Sequence, residues 1–337
     1  MPITRLVTRR RLLTGAAALS TAAILPRASL GSGEWKPTET VRVIVPAAAG
    51  GSTDVMGRML AAHLQPVWGQ SIVVENRSGG GGTIGVAEVA RLKGDGHTIL
   101  IGNPGPNAIA YSIFKNLPYK IDQLQPVSNM IKLPNIMCAH PSVPIKTIPE
   151  LIAYIKTNPD KLNYASSGVG QSPHLTGAWW LQLTGLKMQH VPFRGAGPAL
   201  QAALAGDVQI LCDNLYPSLP QVLDGKLNAL AVTTPERNAQ CPNVPSMRET
   251  GVPELKNFDV STWFGAFYPK STPTEAVTAL NAQIKVLLAT DAAKKSIAAM
   301  GAVPDYGTPA QYQTFIEAEA LKFKGIIDKE GLQMEVK

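Results

Sequence analysis

Two glycine-rich turns follow directly on two apolar runs. Val-Ile-Val-Pro46 leads into Gly50-Gly51-Ser52-Thr53-Asp54, and Val-Val-Glu-Asn76-Arg77 leads into Gly79 to Gly82 and Thr83. Each run reads as a short parallel strand and each turn as the start of a helix. Backbone N–H groups at a helix start are unpaired and carry partial positive charge, so two such turns on neighbouring strands hold an anion without a charged side chain. This pattern predicts a carboxylate-binding pocket.

Gly50, Gly51, Gly80 and Gly82 read as turn residues with positive φ, and in the functional reading they also let the backbone approach an anion. Pro46, Ala47, Ser52, Asn76, Thr83 and Asn103 complete the candidate set on these turns and the next one. Asp54 would repel a bound carboxylate, so it reads better as an acceptor that fixes the turn and reaches the ligand through water, with direct ligand contact as the lesser alternative. Later in the chain, Ser166-Ser167-Gly168 precedes Ser172-Pro173-His174. Its hydroxyls read either as ligand contacts or as helix caps, and His174 as a structural histidine or a donor to an acid. Arg194, beside Gly195, reads either as a bidentate partner for a distal carboxylate or as a solvated rim residue. Asp213 ends an apolar run and would orient a donor or bond a ligand hydroxyl or amine. Trp263 and Phe264 read as hinge and core residues, with walling of the cleft as the lesser alternative.

Nothing in the chain supplies a nucleophile with its base. G-x-S-x-G and H-E-x-x-H are absent, and no cysteine sits in a recognisable catalytic motif. Gly79–Thr83 lacks the Gly-Lys-Ser/Thr ending of a phosphate loop. His63, His97, His140, His174 and His190 are too scattered for a helical metal pair, and no metal or cofactor is expected. Cys138, Cys212 and Cys241 form no C-x-x-C and read as unpaired thiols, the first two in apolar runs.

The elements that must position these residues begin after an unusual head. Thr8-Arg9-Arg10-Arg11-Leu12-Leu13-Thr14 precedes a mildly apolar, alanine-rich segment and then Pro26-Arg27. This order predicts an export signal over residues 1–33, twin-arginine-like or, alternatively, ordinary secretory, with cleavage near Gly31. Its apolar part is shorter than the ~20 residues of a spanning helix. The chain carries 31 basic and 24 acidic residues, but five of the arginines lie in that head, which has no acids. The remaining 26 against 24 leave no basic stripe, which argues against a nucleic-acid partner.

About 300 further residues exceed one ordinary core, so two domains are expected. Apolar runs alternate with helical segments: Val41–Pro46, Ser71–Asn76, Thr98–Gly102, Asn135–Ala139, Leu162–Ala165, Met188–Phe193, Gln209–Asp213, Leu227–Thr233 and Val260–Tyr268. The alternation predicts α/β units with parallel sheets. Thr147-x-x-Glu150, Ser246-x-x-Glu249 and Thr272-Pro273-x-Glu275 read as capping boxes, and the tail reads as three helices broken at Asp291 and Thr308-Pro309. Two long extended segments, Pro126–His140 and Phe258–Pro269, predict interdomain crossings near 134 and 261. The expected domains are therefore 34–133 with 262–337, and 134–261, with the ligand cleft between them.

The chain resembles the periplasmic receptors of the tripartite tricarboxylate transporters, the Bug family, over about residues 38–335. The motifs are Ile44-Val45-Pro46 with Gly50-Gly51-x-x-Asp54, Glu75-Asn76-Arg77 with Gly81-Gly82-x-Ile84-Gly85, and Leu117-Pro118-Tyr119. Leu151-Ile152-Ala153-Tyr154, Leu162-Asn163-Tyr164-Ala165-Ser166, Val191-Pro192-Phe193-Arg194-Gly195 and Gly225-Lys226-Leu227 with Ala229–Thr233 follow in order. The resemblance implies a type II periplasmic binding protein, two α/β domains joined by two crossing strands and closing over a small organic acid. It implies carboxylate capture by main-chain N–H groups and water at the first two turns, selection by the second domain, and delivery to the membrane components of a transporter. Three features depart from the common pattern: Ala47-Ala48-Ala49, Phe193-Arg194 in place of tyrosine and lysine, and the proline-rich Asn103–Asn107 turn. The expected ligand is a dicarboxylate or an aromatic acid. A periplasmic sensor feeding a two-component system and, more remotely, an exported enzyme are the alternatives.

Overall fold

Short β-branched runs closed by Gly, Pro or Asn alternate with amphipathic stretches, and each run becomes a strand and each stretch a helix. The computed structural model describes Met1 and residues 35–335; the expected export signal lies outside the described residues. In chain order the elements are β1 (Val41–Val45), α1 (Ser52–Trp68), β2 (Ile72–Asn76), α2 (Thr83–Ala90), β3 (Thr98–Gly102) and α3 (Ala110–Ile113). There follow β4 (Leu124–Ala139), α4 (Ile148–Thr157), β5 (Asn163–Ser166), α5 (Ser172–Thr184), β6 (Gln189–Pro192), α6 (Ala196–Ala205), β7 (Ile210–Asn214), α7 (Leu215–Leu223) and β8 (Asn228–Val232). The last elements are β9 (Ser261–Pro269), α8 (Thr274–Ala289), α9 (Asp291–Ala299), β10 (Val303–Pro304) and α10 (Pro309–Glu330).

These strands build two α/β halves. In one, β1 lies between β2 and β3 in parallel, β9 pairs antiparallel with β3, and β4 pairs antiparallel with β9. In the other, β5 pairs in parallel with β6 and β7, while β7 and β8 run antiparallel to β4. The expected parallel arrangement therefore holds within β1–β3 and β5–β7 but not for the long strands. β4 belongs to both sheets: it pairs with β9 up to Pro134 opposite Ser261, and with β7 from Asn135 opposite Asn214 onward.

The helices are seated by spaced apolar side chains. α1 buries Met56, Leu60 and Leu64 in the cluster that also holds Val43, Val45 and Ile101, each burial contributing roughly 1.5–3 kcal/mol. Gly57 lets α1 sit this low, because a Cβ there would come within 2.7 Å of Val45. The depth of that helix fixes where its first turn points. At the sheet edge Arg42 bonds Glu75 at 2.7 Å and Glu88 at 2.8 Å, and Arg77 bonds the same two acids. These half-exposed pairs add little stability but tie β1, β2 and α2 in register behind the second glycine turn.

The anticipated caps form only in part. Thr147 accepts from the Glu150 N–H, and Glu249 accepts from the Ser246 N–H at 2.8 Å. Thr272 caps no helix: its hydroxyl donates to Pro269, and α8 starts at Thr274. The three tail helices break at Thr290 and Thr308, both of which cap by side chain.

Candidate functional site

β1 ends at Pro46, and the loop to Gly51 delivers the chain to the first turn of α1. Gly51, the N-cap, makes no side-chain cap, so the first N–H groups of the helix keep their positive character with nothing from the cap residue to satisfy them. The hydroxyl of Ser52 is buried, with the residue 1 % exposed, and has no hydrogen-bond partner among the described residues. Asp54 turns the other way. Its carboxylate accepts from the Gly50 N–H, Arg58 Nε and Asn76 Nδ2, each at 3.0 Å, and Asn76 Nδ2 also reaches the Ala47 carbonyl at 3.0 Å. Burial works against the charged form of Asp54, yet the bonds from Arg58, Gly50 and Asn76 outweigh it and hold the group below the usual carboxylate range. Asp54 and Asn76 are thus struts of the turn.

In the second turn Gly79, Gly80, Gly81 and Gly82 all have positive φ. A Cβ on Gly82 would lie 3.1 Å from the Pro46 carbonyl and 3.1 Å from Pro106, so glycine is required there both by conformation and by space. Thr83 folds back, its hydroxyl donating to Gly80 at 2.9 Å. The third turn is knit by asparagines: Asn103 accepts from the Gly105 N–H at 3.0 Å, and Asn107 accepts from the Asn103 N–H.

From the other half, Ser166 accepts from the Gly168 N–H at 3.2 Å and bonds His190 Nε2 at 2.7 Å. His174 Nδ1 accepts from the Gly170 N–H at 3.2 Å, and the two imidazoles stack at 4.3 Å. Burial drives His174 down to about 4, and burial together with its neighbour drives His190 to about 3. Both are therefore neutral at neutral pH, holding the Ser166–Gly170 loop from behind.

A cavity of about 540 Å³ lies between these loops, within the ~300–1,000 Å³ usual for small-molecule sites. Of the residues expected at the ligand, Pro46, Ala47, Gly51, Ser52, Gly80, Gly82 and Asn103 line it from one half. Ser167, Gly168, Arg194 and Gly195 line it from the other. Gly50, Asp54, Asn76, Thr83, Ser166, His174 and Asp213 do not line it, although all but Asp213 shape its loops. Asp213 faces away because side chains alternate along β7: Asn214 takes the cavity side. Asp213 is fully buried, with one oxygen bonded to the Asn214 N–H and the other without a partner among the described residues, and burial pushes it up to about 7.

Other lining residues carry no plain signal in the sequence. Asn214 Nδ2 donates to Asn135 Oδ1 and Thr262 Oγ1, both at 2.8 Å, while Asn135 Nδ2 reaches Thr176 at 3.0 Å. Ser172 bonds Thr262 at 2.5 Å. This buried network knots β4, β7, β9 and α5 together, and Asn214 and Thr262 present it to the cavity. Gln171 Nε2 crosses to the Gly81 carbonyl at 2.6 Å, linking the two halves. Phe114, Val169, Phe193, Phe264 and Met334 provide apolar wall. On β9 the alternation puts Thr262 and Phe264 at the cavity, and Trp263 in the core with its indole N–H on Glu319 at 3.1 Å.

The helix starts that meet in this cavity share one property. α1, α5, α6 and α7 have Gly51, Gln171, Gly195 and Asn214 as N-caps, none with a side-chain cap bond, and all four residues line the cavity. The starts of α4, α9 and α10 lie elsewhere and are closed by Thr147, Thr290 and Thr308, whereas α8, also away from the cavity, begins after Pro273 without a side-chain cap. The cavity thus collects donors without a fixed internal acceptor, an arrangement that suits an anion.

A family model described as "Tripartite tricarboxylate transporter family receptor" matches residues 56–332. Protein BugT of Bordetella pertussis is 34 % identical over 306 residues, covering 90 % of this chain and 93 % of BugT. Among solved structures, a protein of R. palustris with adipate superposes with a TM-score of 0.84 at 33 % identity, covering 88 % of this chain and 98 % of that one. MatC of Rhodopseudomonas palustris with bound malate does so with a TM-score of 0.82 at 32 % identity, covering 86 % and 99 %.

Proposed function

This chain belongs to the tripartite tricarboxylate transporter family of receptors, the Bug proteins, and from that premise we propose that it is a periplasmic receptor capturing a small organic carboxylate. The carboxylate sits at the start of α1, where free N–H groups and the Ser52 hydroxyl receive it, and the loaded receptor docks on the membrane components of a transporter. Dicarboxylates and aromatic acids are the two ligand classes in view. The observation that carries the reading is Ser52, a lining residue at an uncapped helix start whose buried hydroxyl has no partner among the described residues. A buried polar group without a partner costs about 1–3 kcal/mol, a cost that a bound carboxylate oxygen removes. Adipate and malate in two related structures support a carboxylate as the ligand. Among the described residues no helix is long and apolar enough to cross a membrane.

The test is a thermal-shift and calorimetric screen of mono- and dicarboxylates, aliphatic and aromatic, on wild type and Ser52→Ala. A ligand at ~100 times its dissociation constant adds about 2.7 kcal/mol to the native state. Ser52→Ala is expected to weaken the binding ligands about tenfold, ~1.4 kcal/mol, while the unliganded melting temperature holds or rises. No stabilisation by any carboxylate, or undiminished affinity in Ser52→Ala, would overturn this reading.

A further inference from the structure

The cavity is charged unevenly. Arg194 is the one cation in its lining, and it makes no ion pair or side-chain hydrogen bond among the described residues. Its turn sits against the loop that starts α1: a Cβ on Gly195 would lie 3.0 Å from Ala48 Cβ, and one on Gly51 would lie 3.5 Å from Ala196 Cβ. The Arg194–Gly195 turn thus lies against the loop proposed to receive the first carboxylate.

A different wall is built by the end of the described chain. Gly331, left-handed at φ 61, closes α10 and turns the backbone. The following strap runs beside Ile113–Asn116: the Met334 N–H donates to Ile113 at 2.8 Å, and the Lys115 N–H donates to Met334 at 3.1 Å. This places Met334 and Glu335 in the cavity lining next to Phe114. Asn116 Nδ2 holds Glu335 Oε2 at 2.5 Å, so the carboxylate is fixed on the strap. Phe193, Phe264 and Val169 complete an apolar surface with room for a broad ligand body.

We propose that the site selects a monocarboxylate with an aromatic body, and that the strap carrying Met334 and Glu335 rejects a second carboxylate. The inference rests on the carboxylate reading above and narrows its ligand class. A second anion directed at the strap would lie beside Phe114 and Met334, whose side chains offer it no hydrogen-bond donor, which is costly for a charged group, and it would meet the Glu335 charge across a part-exposed cavity. Discrimination built on a repulsive element of this kind needs no extra contact to the favoured ligand. A single-charge acid instead places its ring against Phe114, Phe193 or Phe264, where aromatic pairs in offset or edge-to-face arrangements stabilise.

Benzoate and terephthalate differ only by the second carboxylate, and adipate supplies the aliphatic diacid. Calorimetry on the full folded receptor is expected to give benzoate a dissociation constant at least tenfold below those of terephthalate and adipate. Glu335→Gln should shrink the terephthalate-to-benzoate ratio about tenfold, chiefly through tighter terephthalate binding. Glu317→Gln, an exposed acid on α10, should leave the ratio unchanged. Terephthalate or adipate binding as tightly as benzoate would overturn the inference while keeping the carboxylate receptor, as would a ratio unmoved by Glu335→Gln. If none of the three acids nor any other carboxylate binds, the inference and the proposed function fall together.

Discussion

At the residue scale, the two leading glycine turns are not equivalent. Gly51 has φ −87°, a conformation open to any residue, and a Cβ there meets only Ala196 at an ordinary 3.5 Å. Gly82 has φ +93° and a carbonyl 3.1 Å from its missing Cβ. The expectation of positive φ therefore fails at Gly51 and holds at Gly50, Gly80 and Gly82. We expect Gly51→Ala to bind carboxylate within about threefold of wild type, because the Cβ fits and the N–H groups remain. Gly82→Ala should lose at least a hundredfold, through strain of ~1–3 kcal/mol in the turn added to displacement of Pro46. Titration calorimetry of the two variants decides this, and equal affinities would remove the distinction.

At the element scale, strands set the phase of the site and helices set its charge. The alternation of β7 sends Asp213 into the interior opposite Asn214, where it carries an unpartnered oxygen and a value near 7. Because its folded value lies above the ordinary ~3.9, the stability it contributes is full below about pH 4 and is lost as pH rises through 7. His174 has the opposite effect. Its folded value near 4 lies below the ordinary ~6.5, so stability falls as pH drops from about 6.5 to 4, by up to ~1.4 kcal/mol per pH unit. The two slopes oppose each other over the acid range. Asp213→Asn removes one of them, so the stability of the variant relative to wild type should rise between pH 4.5 and about pH 7 and level off above. Chemical denaturation at several pH values measures it, and a pH-independent difference would remove Asp213 as the titrating group.

At the scale of the molecule, the second glycine turn meets the other half at the cavity through small residues and the Gln171 amide. A Cβ on Gly81 would strike the Val169 carbonyl at 1.9 Å, and Gln171 reaches the Gly81 carbonyl at 2.6 Å. If residues 34–133 with 262–337 form one domain and 134–261 the other, the backbone of β4 near 134 and of β9 near 261 absorbs a hinge motion, and these contacts latch the closed state. Small-angle scattering should then show compaction of wild type by a saturating carboxylate. Gly81→Ala, which holds the loops apart, should show none and bind more weakly. Identical wild-type profiles with and without ligand would refute domain closure.

Much of this protein was legible along the chain, because its central chemistry is local. Strand, turn and helix start are contiguous at Val41–Asp54, and the absence of a capping side chain at Gly51 is visible in the residue types themselves. The family motifs are likewise local, and so is the helical tail, apart from the mistaken cap at Thr272. What the chain order left open were matters of phase and of distant meeting. A one-residue shift along a strand exchanges Asp213 for Asn214, and the apolar pattern around them does not distinguish the two, since β7 is buried on both faces. Asn135, Ser172, Asn214 and Thr262 become one network only after β4, β7, β9 and α5 have packed. Met334 and Glu335 reach the cavity only because Gly331 turns the chain back along Ile113–Asn116. The sequence alone determined the two glycine turns and the uncapped helix start on which the proposed anion capture rests. The tertiary structure decided what surrounds it, since side chains far apart in sequence become neighbours only through the packing of whole elements.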